Sequence, residues 1–299
     1  MKIAITGGTG FVGRELTKLL QQQGHDIFIL TRKKSYEANG IHYIQWLTEN
    51  AMPEAHLQSV DAFINLAGTS LNEGRWTDKR KKDIFDSRIT ATQEVLRIIE
   101  TLDVKPKVLI NASAIGIYPS SKAAAYTEGS PQVAKDFLGK TVKHWEQEAK
   151  KAENSGVRVA MARFGVILGK DAGALSLMVL PYKLYVGGTV GSGSQWVSWV
   201  HVKDVASALY FALENDRIVG PFNITAPNPI RMKQVGEIIS SVLGRPHWFP
   251  TPSFLLKIAL GEKSNLVLEG QQVLPKVLLT ENFHFDYPTL ESALKNLYA

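Results

Sequence analysis

The stretch KIAITGGTGFVG, residues 2–13, decides the fold. An apolar run over residues 2–6 predicts a buried strand, and glycines follow at positions 7, 8, 10 and 13 before a helical pattern begins. Glycine lets the backbone approach a pyrophosphate closely, and the following helix points its free N–H groups at the phosphates. A tight turn without a ligand is the alternative, but strand, spacing and helix occur together as the dinucleotide fingerprint requires. The residues expected to hold the dinucleotide here are Thr6, Gly7, Gly10, Phe11, Val12 and Gly13.

The end of the second predicted strand indicates which dinucleotide is bound. This strand runs from Asp26 to Leu30 and is followed by Thr31, Arg32, Lys33 and Lys34. Enzymes that use NAD place an acid at this end for the ribose 2′-hydroxyl, whereas NADP enzymes have basic groups there for the 2′-phosphate. Asp26 lies at the wrong end of the strand, and a guanidinium binds phosphate through two hydrogen bonds. NADP(H) is therefore favoured through Arg32 and Lys33, with an exposed basic turn as the alternative.

The rest of the chain continues the strand and helix rhythm of an α/β protein. Further buried strands are expected over residues 41–46, 61–66, 107–111 and 158–163, and helices over residues 12–23, 77–102, 137–154 and 203–213. This alternation predicts right-handed crossovers and a Rossmann doubly wound parallel sheet. We assign residues 1–164 to the Rossmann domain, with a strand and helix returning near 196–225. Residues 165–299 are assigned mainly to a smaller substrate lobe and a C-terminal segment, beginning with an irregular glycine-rich passage over 165–194.

Composition excludes several classes of protein. The 299 residues contain no cysteine, which excludes a thiol nucleophile and a cysteine zinc site, and we expect no bound metal. The net charge of +6 is scattered, and the basic run at residues 79–82 has acidic neighbours typical of a solvated helix face, so no nucleic acid partner is expected. No apolar run approaches twenty residues, which predicts a cytoplasmic protein with no membrane contact. A small molecule is the expected partner, and the oligomeric state stays open.

Several motifs resemble those of the extended short-chain dehydrogenase/reductases. They are the loop TGGTGFVG at 6–13, NLAG at 65–68, Ser113 after the fifth strand, and HVKD at 201–204. More narrowly, the chain resembles an atypical epimerase-like branch that is loosely labelled as cell-division inhibitors. That resemblance rests on Arg75-Trp76 after LAG, on Ser87-Arg88, on GSGSQWVSWVH at 191–201, and on GEKSNLVLEGQQVLP at 261–275. The last stretch resembles a C-terminal segment of unknown function found in this branch.

The resemblance implies further contacts to the cofactor. It places these residues beside the dinucleotide: Asn65, Leu66, Ala67, Gly68, Arg88 and Ala112. A guanidinium at position 88 is either a phosphate or substrate contact or a plain surface charge, and Arg163 at a strand end has the same two interpretations. The resemblance also places residues 165–202 over the nicotinamide and substrate, where Trp196 and Trp199 are either pocket walls or core.

The catalytic residues are less clear in this sequence. Active members of the superfamily use a serine together with a tyrosine and a lysine four residues apart on one helix, where the lysine lowers the tyrosine pKa. Ser113 fits the serine position, but the helix predicted over 137–154 contains no tyrosine. Tyr118 and Lys122 have the right spacing, yet Pro119 disfavours a helix at Tyr118, so we interpret the spacing as coincidence. Tyr118 itself is either a substrate-site residue or a packing residue.

Two functional hypotheses follow. The first is an NADP-dependent oxidoreductase or sugar-nucleotide epimerase, with Ser113 and Tyr118 as the candidate catalytic residues acting on the substrate oxygen. The second is a noncatalytic NADP(H)-dependent regulator or redox sensor, suggested by the missing tyrosine and lysine pair. Fold alone does not decide between them.

Overall fold

The computed structural model describes residues 1–170 and 173–298. Its strands are β1 (Lys2–Thr6), β2 (Asp26–Thr31), β3 (Tyr36–Ala38), β4 (Ile41–Gln45), β5 (Ala62–Asn65), β6 (Val108–Ala114), β7 (Ala125–Tyr126), β8 (Arg158–Phe164), β9 (Val166–Leu168), β10 (Trp196–Val197), β11 (Trp199–His201), β12 (Gly220–Ile224), β13 (Ile230–Arg231) and β14 (Gln272–Val273). Its α-helices are α1 (Phe11–Gln22), α2 (Asp78–Thr101), α3 (Phe137–Lys150), α4 (Leu175–Lys183), α5 (Val202–Glu214), α6 (Met232–Leu243), α7 (Ser253–Leu260), α8 (Asn265–Leu268), α9 (Lys276–Thr280) and α10 (Leu290–Tyr298).

Eight strands of the described chain form the central sheet, in the order β12-β8-β6-β5-β1-β2-β4-β3. All neighbours in it are parallel except β3, which pairs antiparallel with β4. The chain builds outward from β1 in one direction through β2 and β4, and in the other direction through β5, β6, β8 and β12. The order therefore reverses between β1 and β5, and ligands of such sheets bind at the carboxyl ends of the strands at this point.

Helices cover both faces of the sheet. On one face, Leu16 and Leu20 of α1 and Leu209 of α5 share a buried cluster with strand residues such as Ile5. On the other face, Val95 of α2 and its neighbours share a second cluster with alternate strand residues. Side chains of a strand point alternately to its two sides, so the central strands of this sheet, such as β1, β5 and β6, are buried on both faces. The predicted doubly wound α/β fold is confirmed.

The main departures from the predicted elements lie after β8. The passage over 165–194 is not irregular throughout, because β9 pairs in parallel with β11 and α4 follows. The hydrogen bonds of these short strands connect segments more than thirty residues apart, which local sequence patterns do not reveal. Residues 171 and 172 of that passage lie outside the described residues. The predicted helix over 137–154 ends at Lys150 and continues as a 3-10 turn to a left-handed Gly156 with φ of +76°.

The connection between β2 and β4 also differs from a standard crossover. In the described chain it forms the short strand β3 instead of a helix, so part of one sheet face beside α1 stays uncovered. A cavity of about 230 Å³ lies there, next to the glycine loop. Its walls are formed by Gly8, Thr9, Arg14, Thr17, Lys18, Gln21, Ile29, Ile41 and Tyr43.

None of the helices within residues 1–170 and 173–298 combines the length and the apolar character that crossing a bilayer requires.

The C-terminal part of the chain packs around α6 and α10. Val235 and Ile239 of α6 share a buried cluster with Leu294 of α10 and with Trp199. Asp204, near the start of α5, accepts hydrogen bonds from the backbone amides of Asp286 and Tyr287 at 2.9 and 3.1 Å. This buried carboxylate therefore fixes the chain that leads into α10.

The stability supplied by Asp204 should depend on pH. Burial raises the pKa of Asp204 from 3.8 to about 6, although the two backbone amides act in the opposite direction. A raised pKa in the folded state means that the stabilising contribution is full below pH 3.8 and is lost as the pH rises through 6. The difference in free energy of unfolding between the wild type and Asp204→Asn should therefore shrink between pH 4 and pH 7. Urea unfolding of both proteins across this range measures the difference, and a difference that is constant or grows contradicts the raised pKa.

Candidate functional site

Two glycines where the chain turns from β1 into α1, Gly7 and Gly13, leave no room for a side chain. A Cβ at Gly13 would lie 2.3 Å from the carbonyl oxygen of Gly7, and one at Gly7 would lie 2.7 Å from the carbonyl oxygen of Leu66. Gly7 also has a φ of +67°, which favours glycine. Gly10 precedes α1 and has no side chain to accept a hydrogen bond from the first turn. The amides of that turn are therefore available to an anion such as a pyrophosphate.

Buried polar side chains connect the ends of the strands at the reversal point. The Thr6 hydroxyl donates to Oδ1 of Asn65 at 2.6 Å and accepts the amides of Leu66 and Ala67 at 3.1 Å. Nδ2 of Asn65 donates to Oδ1 of Asn111 at 2.6 Å, and also reaches α2. These hydrogen bonds hold the β1, β5 and β6 ends in one rigid layer. Thr6 and Asn65 are fully buried, so they support this edge of the sheet from beneath, and their own polar groups are already satisfied.

Basic residues surround the end of β2. Arg32 and Lys33 are exposed directly after this strand, level with the glycine loop through the pairing of β1 with β2. Nη1 of Arg14, on the first turn of α1, donates to the carbonyl oxygen of Thr9 at 3.0 Å. Arg14 is a candidate that the sequence reasoning missed. An arginine immediately after the last glycine of the motif is the signal that could have identified it.

The candidate catalytic residues Ser113 and Tyr118 both lie in a buried network. The Ser113 hydroxyl donates to Oε1 of Glu146 at 2.6 Å, and the Tyr118 hydroxyl donates to Oδ1 of Asn223 at 2.9 Å. Arg163 joins the two halves, because its guanidinium donates to both Glu146 oxygens at 2.7 and 2.8 Å and to the Tyr118 oxygen at 2.7 Å. Ser113 and Tyr118 are each only 2% exposed. Burial, the largest effect, raises the pKa of Tyr118, so its hydroxyl is held protonated.

The geometry decides between the alternatives that the sequence left open for Arg163 and for the two tryptophans. Arg163 is neither a surface charge nor free for a ligand, because it is 7% exposed and paired with Glu146. Trp199 is fully buried in the core, whereas Trp196 is half-buried, with the Arg231 guanidinium 3.7 Å from its ring centre. Lys122 is exposed, and its backbone carbonyl accepts hydrogen bonds from Trp196 and Arg231.

The first two turns of α3 present apolar side chains to the loop that follows β6. A Cβ at Gly116, just after β6, would lie 3.5 Å from Cβ of Leu138, so Leu138 faces this loop. Val142, one helical turn later, is buried in a cluster with Ile117 and Tyr118. Residues four apart on a helix share a face, so Leu138 and Val142 occupy the positions where a tyrosine and lysine pair could face the loop.

Comparison with known proteins identifies the family. Residues 3–225 match the NAD dependent epimerase/dehydratase family. This chain belongs to that family. Residues 251–297 match a domain of unknown function, DUF1731, so the resemblance to the epimerase-like branch with its C-terminal segment is confirmed.

Relatives of this epimerase-family protein match it over its whole length. Epimerase family protein YfhF of Bacillus subtilis is 51% identical, over 100% of this chain and 98% of the relative. The crystal structure of human epimerase family protein SDR39U1 with NADPH is 32% identical, has a TM-score of 0.89 and covers 99% of both chains. UDP-glucose 4-epimerase of Thermus thermophilus, in complex with NAD, has a TM-score of 0.80 at 15% identity, which is a likeness of fold alone.

Glu146 and Asn223 are the residues of this network that the sequence reasoning did not single out, and only Glu146 left a signal in the sequence. Glu146 lies on the buried stripe of α3, four residues after Val142 and three before Ala149. An acid within the apolar stripe of an amphipathic helix was the available signal, because buried carboxylates are normally paired. Its partner Arg163 comes from β8, and that pairing depends on the tertiary packing of α3 against the sheet.

Removing one member of the Glu146–Arg163 pair should destabilise this epimerase-family protein strongly. Glu146→Gln or Arg163→Met leaves a buried charge without its partner, which typically costs about 3–5 kcal/mol. The double variant should cost less than the sum of the two single variants. Glu291→Gln, in an exposed pair with Lys295, is the control and should cost less than about 1 kcal/mol. Urea unfolding measures all four, and additive losses at positions 146 and 163 would show that the two side chains do not interact in solution.

Proposed function

We propose that this chain binds NADP(H) in preference to NAD(H) and uses it as a reductase-like or epimerase-like enzyme on a small carbonyl or sugar compound. The observation that carries the cofactor preference is the basic end of β2, where Arg32 and Lys33 stand beside the glycine loop. Arg14 adds a third positive charge, held against Thr9 of that loop. The human relative whose structure contains NADPH supports the same preference.

The residues present fit a bound dinucleotide. The glycine loop excludes Cβ atoms at Gly7 and Gly13, and the first turn of α1 offers amides to a pyrophosphate. Leu66, Ala67 and Gly68 follow β5 on the other side of the reversal point, and Ala112 lies in the next strand. A nicotinamide dinucleotide supplies or accepts a hydride when bound. The contribution of the chain is to seat the pyrophosphate, select the 2′-phosphate and orient the substrate.

Direct substrate contact by Ser113 and Tyr118 stays a prediction. Both hydroxyls already have partners in the protein, and a substrate oxygen would have to displace Glu146 or Asn223. We therefore expect the two residues to support the site more than to act on the reacting oxygen.

The noncatalytic regulator is the second candidate, and one observation favours it. Arg75, in the loop after β5, donates to the backbone carbonyls of Ile258 and Ala259 on α7. Lys263, which follows α7, binds the carbonyl of Asn72 in the same loop. The C-terminal segment is thus attached to a loop that begins at the cofactor edge. A dinucleotide that moves this loop would also move α7.

The cofactor preference is testable by titration. NADPH should bind at least about tenfold more tightly than NADH, which corresponds to about 1.4 kcal/mol, because only NADPH offers a 2′-phosphate. Arg32→Met should remove most of this difference, and Arg14→Met a smaller part of it, while NADH affinity stays nearly constant. Lys276→Met is the control, since α9 packs beside β12 at the opposite side of the sheet from β2. Equal affinities for the two cofactors in the wild type, or an unchanged preference in Arg32→Met, would contradict the assignment.

Enzyme and regulator are distinguished by single-turnover hydride transfer from NADPH to a panel of carbonyl compounds and nucleotide sugars. An enzyme should oxidise bound NADPH with at least one of them, and a regulator should bind NADPH without oxidising it. If turnover occurs, Ser113→Ala should lower its rate less than about tenfold, because the hydroxyl is committed to Glu146, and Lys122→Ala should leave it unchanged. A collapse in both Tyr118→Phe and Lys122→Ala would instead assign these two residues as the acid/base pair.

A further inference from the structure

The hydroxyl groups at the end of β6 are held within the protein. The Ser113 hydroxyl donates to Glu146 at 2.6 Å. The Tyr118 hydroxyl donates to Asn223 at 2.9 Å, and burial, the largest effect, raises the pKa of Tyr118. A residue that gives a proton to a substrate has to lie within hydrogen-bond reach of it. These two hydroxyls, on side chains that are each only 2% exposed, are therefore not placed to protonate a reacting oxygen.

The first two turns of α3 do not supply a proton donor in their place. Leu138 and Val142 are the residues of these turns that contact the loop after β6 or its buried cluster. The nearest lysines, Lys140 and Lys143, are exposed, at positions that lie on other faces of the helix. A reaction beside this loop therefore receives no acid from this part of α3.

Aromatic side chains extend the apolar surface from α3 toward β5. Phe137, next to Leu138, contacts Trp76 edge-on with ring centres 5.6 Å apart. Trp76 lies at the end of the loop after β5, two residues before α2. These three side chains and Ile115, the first residue after β6, are half-buried and thus partly open to a ligand. We call Ile115, Trp76, Phe137 and Leu138 the apolar edge, and it lies at the carboxyl ends of β5 and β6, where sheets of this type bind ligands.

The positive charges closest to the apolar edge are already bound. Arg75 donates to two backbone carbonyls at the end of α7, Arg80 donates to a carbonyl of the loop after β5, and Lys81 forms an ion pair with the C-terminal segment. Arg88 lies against Gly68, in the part of the site that we assign to the dinucleotide. A nucleotide sugar carries a diphosphate, which proteins normally bind through such cations. The arrangement therefore favours a neutral, apolar substrate at this edge over a nucleotide sugar.

Quinones differ from ordinary ketones in what hydride transfer demands of a protein. Hydride addition to a ketone leaves a full negative charge on one oxygen, which an acid or fixed hydrogen-bond donors must stabilise. Hydride addition to a quinone leaves an anion whose charge is delocalised over a new aromatic ring, so water can supply the proton afterwards. A quinone is therefore the class of carbonyl compound that suits an apolar site without a proton donor.

We propose that the substrate of this site is a neutral quinone, which binds against the apolar edge and is reduced to a hydroquinone by hydride transfer from NADPH. A C–H bond of NADPH breaks, an O–H bond forms at one quinone oxygen, and the other oxygen takes its proton from water. The products are the hydroquinone and NADP⁺. The reductant comes from the proposed function, on which this assignment rests.

Binding is tested by calorimetric titration of the NADP⁺-saturated protein with menadione and with UDP-glucose. The chain contains no cysteine, so the quinone cannot add to a thiol of the protein. The wild type should bind menadione at least about tenfold more tightly than UDP-glucose, or about 1.4 kcal/mol. Leu138→Gln should weaken menadione binding at least about fivefold, because it places a polar group in the apolar edge. Lys143→Gln, an exposed position on the same helix, is the control and should bind as the wild type does.

The chemistry is tested by single-turnover oxidation of protein-bound NADPH in oxygen-free buffer. Menadione should oxidise bound NADPH at least about a hundredfold faster than it oxidises free NADPH, because the protein holds the two reactants together. Acetylnaphthalene, a flat ketone of similar size, should show no such acceleration, since its reduction needs an acid. The rate with menadione should be nearly the same in D₂O as in H₂O, because no protein group transfers a proton in the hydride step.

Trp76→Gln provides a second variant should Leu138→Gln fail to fold, and it should weaken menadione binding in the same direction. UDP-glucose binding as tight as that of menadione, or menadione affinity unchanged in the folded variants of the apolar edge, would overturn the proposal. Equal acceleration for acetylnaphthalene, or a rate several times lower in D₂O, would overturn it as well by revealing a proton donor. Menadione that binds without oxidising NADPH overturns this assignment alone and leaves the cofactor preference standing, whereas a wild type that does not bind NADPH overturns both.

Discussion

The side chain of Asn65 is the interaction on which the rest of the site depends. It binds Thr6 of β1, Asn111 of β6 and Thr92 of α2, so one amide fixes the relative positions of three strand ends and a helix. In a low-dielectric interior each of these hydrogen bonds is costly to lose, because its partner would be left buried and unsatisfied. The strand order reverses at this point, and the glycine loop and the loop after β5 both start from the layer that Asn65 holds.

Thr92 connects the same layer to Arg88. Its hydroxyl accepts hydrogen bonds from the side chains of Asn65 and Trp145 and donates one to the backbone carbonyl of Arg88. The buried Glu146 of α3 and Arg163 of β8 bind the hydroxyls of Ser113 and Tyr118. The polar side chains next to β6 are therefore bound to one another within the protein. Among the described residues, the Arg88 guanidinium and the amides at the start of α1 are donors at this edge that suit anions.

The C-terminal segment is tied into this arrangement at several points. Arg75 and Lys263 join it to the loop after β5, and Lys81 of α2 pairs with Glu262. The basic run at residues 79–82 was interpreted as a solvated helix face, and Lys82 does pair with Asp86 on its own helix. Arg80 and Lys81 have a further role, because they bind Ser70 and Glu262 respectively. Of the charged residues on this helix turn, some therefore form solvent-exposed ion pairs and others attach neighbouring segments to the helix.

The sequence by itself determined the features that depend on near neighbours. Glycine spacing, the strand before it and the helix after it are local, so the Rossmann unit and the position of Arg32 after β2 followed directly from residues 2–34. The absence of tyrosine from α3 was equally plain. Only the tertiary structure decided how distant residues meet: Glu146 with Arg163, Tyr118 with Asn223, and Arg88 with Trp145. These contacts join separate elements, and whether a polar group is free or already satisfied is set by that packing and not by any pattern along the chain.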